Sequence, residues 1–154
     1  MVDTDELGDW HVTIDAATAL SIVEAAHSAW NAGDIEGTLD RYVDDLVFIT
    51  NTGPDGGQMI IRGKSNLREY IKVIMQVVEA KTFIESLHFD GEVARIRFNT
   101  YVRHRTTGHE MTGTYRELCT FRGSEISQIE DFHDAPRMAA FWRLIGMAET
   151  EAVR

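Results

Sequence analysis

Near its C-terminal end the chain reads Glu130-Asp-Phe-His-Asp134, and upstream a lone acid, Glu117, stands between Tyr115 and Cys119 in an apolar alternation. On a regular strand Asp131 shares a face with Ile129 and His133. A carboxyl turned towards apolar surroundings loses hydration, which raises its pKa and suits it to moving a proton near neutral pH. His133 could share that transfer or hold a substrate oxygen. The plainer alternative is a strand end at which Asp131 and His133 cap backbone groups. Glu117 must be protonated, paired or at a pocket mouth, because a buried, unpaired carboxylate is expensive. His27, an arginine or a tyrosine hydroxyl could pair it. His27 itself falls on the inward stripe of the first helix, as a satisfied core imidazole or as a second proton-transfer group.

Other chemistry is poorly supported. No His, Asp or Glu cluster has metal spacing, and neither a metal nor another cofactor is expected. Cys119 is the single cysteine, so no internal disulfide can form, and it reads as a buried structural thiol. The stretch Gly53 to Gly57 lacks the Lys-Ser/Thr and helix of a phosphate loop and reads as a hairpin. His104 and His109 flank Thr106-Thr-Gly108 and read as exposed. Arg95, Arg97, Arg103 and Arg105 share one strand face with Asn99 and Tyr101, as a solvated or subunit-facing surface. The net charge is −10, which opposes a nucleic-acid partner. Apolar runs are too short for a membrane span, the first residues are acidic, unlike a signal peptide, and a cytoplasmic location is expected.

These groups need a scaffold. A chain of 154 residues with 44% hydrophobic and 26% charged residues suits one α+β domain over 13–147, with a lead-in over 1–12, in which Trp10 folds back, and a tail over 148–154. Leu20, Val23, His27 and Trp30 give a first helix from Thr13 or Asp15 to about Asn31, ended by Gly33. Asp34 caps a second helix bearing Ile35, Leu39, Tyr42 and Val43. Strands follow at Leu46 to Asn51 and Met59 to Ile61, then a third helix, capped by Ser65, from Asn66 to about Glu79. The rest reads as antiparallel strands at Thr82 to Phe89, Val93 to Arg105, His109 to Arg122 and Ile126 to His133. Asp134-Ala-Pro136 opens a final helix with Met138, Phe141, Trp142 and Ile145 inward.

Asn31-Ala-Gly-Asp34, Tyr42-Val-Asp-Asp45 and Ile61-Arg-Gly-Lys64, in this order of elements, resemble the SnoaL-like branch of the nuclear-transport-factor and ketosteroid-isomerase superfamily over about Asp15 to Arg143. The resemblance implies a curved antiparallel sheet forming a cone, covered by the N-terminal helices, with an extra C-terminal helix. It implies a cavity between sheet and helices, lined by Trp30, Tyr42, Phe48, Asn51, Met75, Phe98, Thr100 and Tyr115. The ketosteroid-isomerase base position falls on Thr50, its tyrosine donor on Ala26 and its second donor near Glu117, and a threonine cannot replace a carboxylate as base. In limonene-type epoxide hydrolases the last-strand Asp matches Asp131, and their Arg-x-Asp pair meets Arg97-Phe-Asn99, without the second carboxylate. SnoaL-type cyclases also place an Asp near Asp131, working with a His. The expectation is a homodimer that binds a small apolar or polyketide-like molecule. Asp131 would be the main acid or base in cofactor-free isomerase, dehydratase or cyclase chemistry, assisted by His133, Glu117 and His27. A non-catalytic binding or accessory protein is the alternative.

Overall fold

A computed structural model describes residues 13–53 and 57–146; the lead-in with Trp10, the loop tip 54–56 and the tail 148–154 lie outside the described residues. Helix α1 (Ala16–Asn31) starts where Asp15 accepts the Thr18 amide at 2.7 Å. Asp34 does the same for Gly37 at 2.9 Å and opens α2 (Ile35–Leu39). Such side-chain caps satisfy amides that have no intrahelical partner. There follow β1 (Tyr42–Thr50), β2 (Met59–Arg62), α3 (Lys64–Val77), β3 (Val78–Phe89), β4 (Val93–His104), β5 (Glu110–Arg122), β6 (Glu125–Phe132) and α4 (Ala135–Leu144).

The six strands form one curved, unclosed sheet in the order β2-β1-β6-β5-β4-β3. All neighbours are antiparallel except β1 and β6, which run parallel. The main core fills the space between the helices and one sheet face, with Val23, Leu39, Leu46, Ile71, Phe98 and Ile126 at its centre. A smaller cluster of Val78, Val102, Met111 and Phe141 seats α4 across the sheet's other end. The opposite sheet face carries the arginine-rich stripe, with Arg95, Arg97 and Asn99 exposed. No helix among the described residues is long and apolar enough to cross a membrane.

Several expected boundaries move. Tyr42 and Val43 open β1 rather than closing the second helix, which stops at Leu39. Both are buried, so an inward position fits either periodicity, and strand pairing of Tyr42 with Ile126 decides. The third helix starts at Lys64, not after Ser65. Gly63 stands at its cap with φ +89°, and no side chain supplies a cap bond. That backbone conformation is open to glycine and strained for other residues. Helix α3 gives way to β3 at Val78 without a loop. His104 is buried, not exposed, because its ring turns back into the hairpin to meet Thr107 Oγ1 at 2.7 Å.

Candidate active site

Between the helices and the sheet lies a cavity of about 160 Å³. It compares with an engineered core cavity of about 150 Å³ that accepts benzene. His27, Trp30, Tyr42, Phe48, Thr100, Tyr115, Glu117, Asp131 and His133 all line it. Three expected lining residues do not. Phe98 is wholly buried behind the wall, Met75 packs into the core, and the Asn51 side chain is spent on backbone.

The sheet register brings the acids together. Across the β5–β6 pair Glu117 faces Asp131, and across the β1–β6 pair Asp131 faces Thr50. Thr50, Asp131 and Glu117 thus form one row over three strands. All three are nearly closed to solvent, at 2%, 8% and 5% exposure. This pairing depends on a β-bulge. Phe121 faces Ile126, but the next step on β5, Thr120, faces Gln128, so Ser127 is an extra residue. Such a bulge reverses which side chains of a strand point inward. Without it Glu130 would stand opposite Glu117 and Asp131 would point to the outer face. Ser127 fixes the distortion by donating its hydroxyl to the Thr120 carbonyl at 3.2 Å.

The two carboxyls stand opposite each other on adjacent strands, and each perturbs the other's ionisation. Burial pushes Glu117 up to about 7. Burial, then the charge of Glu117, pushes Asp131 up to about 7 as well. Two carboxylates in contact away from water cannot both ionise at low cost, so the pair holds one proton between them near neutrality. A further observation agrees. Asp131 Oδ1 is buried and meets no donor among the described residues, and a proton held between the carboxyls supplies one. The indole N–H of Trp30 is the other buried polar group without a partner there.

An imidazole flanks each acid. His133 Nε2 lies 3.8 Å from Asp131 Oδ2, and His27 Nε2 lies 3.9 Å from Glu117 Oε1. Burial drives His27 down to about 4, so it is neutral at physiological pH. The two histidines end a four-ring stack, His133–Tyr115–Phe98–His27, with centroids 4.3, 4.9 and 4.2 Å apart. Phe98 therefore serves the cavity from behind, as the spacer that sets the separation of the imidazoles. Two asparagines hold the outer ends. Asn51 accepts from the His133 amide and donates to its carbonyl, both at 2.8 Å. Asn31 does the same for Thr82, again at 2.8 Å, and Thr82 Oγ1 lies 2.6 Å from His27 Nδ1.

Sequence reading misses Thr82, which is 55 residues from His27, and misses that Glu117 and Asp131 are one unit. Only the register shift at Ser127 discloses the second. Burial raises Tyr42 and Tyr115 well above the ordinary phenol range, so both stay protonated and can donate to a ligand. Burial likewise raises the Cys119 thiol. No lysine or arginine lines the cavity. Arg97 and Asn99 are exposed on the outer face, so the arginine of an epoxide-opening site has no counterpart inside. Among the described residues no group of three or more His, Cys, Asp or Glu could hold a metal ion.

Comparison with known proteins agrees with the fold. The model of the SnoaL-like domain matches residues 23–129, ending just before Asp131 and His133. An NTF2-like protein of unknown function from Burkholderia pseudomallei superposes with TM-score 0.71 at 18% identity, over 83% of this chain and 97% of that one. An epoxide hydrolase from Mycobacterium tuberculosis, of the LEH-like kind, gives 0.69 at 16%, over 87% and 97%. A candidate polyketide cyclase from Xanthomonas campestris gives 0.69 at 14%, over 80% and 96%. At these identities the likeness shows the fold alone. A search of curated proteins finds no match. With a six-stranded cone of the ketosteroid-isomerase and NTF2-like type and a family match over most of its described length, the chain belongs to the SnoaL-like domain family.

Proposed function

We propose that this protein is a cofactor-free acid/base enzyme of the isomerase, dehydratase or cyclase type. Its ligand is a compact, apolar, uncharged molecule, or one ring of a larger polyketide-like one, and the Glu117–Asp131 pair moves a proton on it. The observation that supports this most is the pair itself. Two buried carboxyls adjoin in register at an apolar cavity, flanked by imidazoles and touched by no arginine. A structural ion pair would have a cation there. A group that holds its proton near pH 7 can give it up and take it back at working pH, typically a ~10² to 10⁴-fold gain in rate. The lack of a lysine or arginine in the lining also makes a carboxylate or phosphate ligand unfavourable next to an anionic pair.

The test does not require knowing the product. One-ring ketones with enolisable protons are screened by thermal shift. Binders are then incubated in D₂O, and loss of the α-proton signal is followed by NMR. The wild type is expected to exchange those protons at least 10²-fold faster than Asp131→Asn. Binding without any difference in exchange would overturn the catalytic reading and leave a binding protein. We also propose self-association through the outer sheet face, where Phe83 and Phe132 are 53% and 44% exposed. Light scattering showing a monomer at micromolar concentration would rule that out.

A further inference from the structure

Thr82 has one side-chain partner among the described residues, the imidazole of His27. Its backbone is held on both sides by the Asn31 amide, and it is 7% exposed. A buried hydroxyl hydrogen needs an acceptor. The nearest is the Nδ1 lone pair, 2.6 Å away. If Nδ1 instead carried the hydrogen, the threonine would have to turn its own proton into the cavity, which it also lines. The bare Nε2 lone pair would also face Glu117 Oε1, 3.9 Å off. With the hydroxyl donating to Nδ1, the imidazole carries its hydrogen on Nε2, and that N–H is turned towards the acid pair. The threonine hydroxyl is then satisfied, and the Nε2–H points at Glu117 Oε1 across 3.9 Å.

From this arrangement we propose that Thr82 is a positioning residue that locks His27 in the Nε2–H form, so that the ring aims an N–H dipole at the acid pair and can donate to ligand oxygen rather than act as a base. Asn31 fixes the backbone of Thr82, and the stack on Phe98 (4.2 Å) fixes the plane of the ring. The inference rests on the proton-transfer reading of the cavity for its consequence, but the tautomer is a property of the free protein. A neutral imidazole aimed at an anion or a developing oxyanion stabilises charge without giving up its proton. His27, neutral because it is buried, suits that role. Proton transfer itself then falls to Glu117 and Asp131.

The experiment is a long-range ¹H–¹⁵N correlation spectrum of the ¹⁵N-labelled full chain at pH 7, with His27 assigned through His27→Gln. Nitrogen shifts of a neutral ring with hydrogen on Nε2 are expected in the wild type. The Nδ1–H form, or a fast mixture of both, overturns the proposal without any variant of Thr82. Thr82→Val is then expected to give a mixture of tautomers, and Thr82→Ser to restore the single form. A Thr82→Val protein that keeps the pure Nε2–H signature would equally refute the role of the hydroxyl. If the tautomer is as proposed and no ketone exchanges protons, the function fails while the positioning stands.

Discussion

Replacing Glu117 by Gln removes one ionisable group from the cavity while keeping its shape. Glu117 is 5% exposed and held up to about 7 by burial, against an ordinary value of 4.5. The folded protein therefore binds this proton more tightly than the unfolded chain does. Stability from this group is fully present below about pH 4.5, declines as pH rises, and is gone above about pH 7. At about 1.4 kcal/mol per pH unit, that span corresponds to roughly 3 kcal/mol. The glutamine also relieves Asp131 of a neighbouring charge, which acts in the same direction. Any packing cost of the substitution is the same at every pH and cancels in the comparison. Urea unfolding followed by circular dichroism from pH 4.5 to 8 is the assay. Relative to wild type, Glu117→Gln should gain roughly 3 kcal/mol across that range. Parallel stability curves would mean that Glu117 ionises normally, through a partner or solvent, and the shared proton would be refuted.

His27→Gln should show the opposite slope. The folded protein binds the His27 proton less tightly than the unfolded chain, with values of about 4 against 6.5. The wild type thus loses stability as pH falls from 6.5 to 4, again by roughly 3 kcal/mol, and the variant should not lose it. Cys119, wholly buried and with its thiol raised by burial, should react with a thiol reagent only at the rate of unfolding. Labelling of the folded protein within minutes would contradict the placement of β5 in the core.

The outline of the fold was legible because its signals are local. Asp15 and Asp34 cap where expected, Gly33 breaks the chain, and β4 and β5 carry an alternating apolar pattern. The misreadings share a cause in tertiary pairing. Tyr42 fits helix or strand by periodicity, and only its partner Ile126 decides. Gly63 caps α3 by conformation rather than by a side chain, so Ser65 looked the better cap. In the cavity, Asp131, Glu117, His27 and His133 stood out because polar groups on apolar faces are costly. Their grouping did not, since one bulged residue, Ser127, decides whether Asp131 or Glu130 meets Glu117. By sequence Phe98 and Asn51 read as cavity wall, yet one stacks between Tyr115 and His27 and the other clamps the His133 backbone.

Proton transfer in this cavity requires that Glu117 and Asp131 hold a single proton between them near neutral pH. Titration of their side-chain carboxyl ¹³C signals, assigned with Glu117→Gln and Asp131→Asn, reads this directly. Two linked steps are expected, the second near pH 7, with one carboxyl still protonated at pH 6. Two independent titrations complete below pH 5 would contradict it.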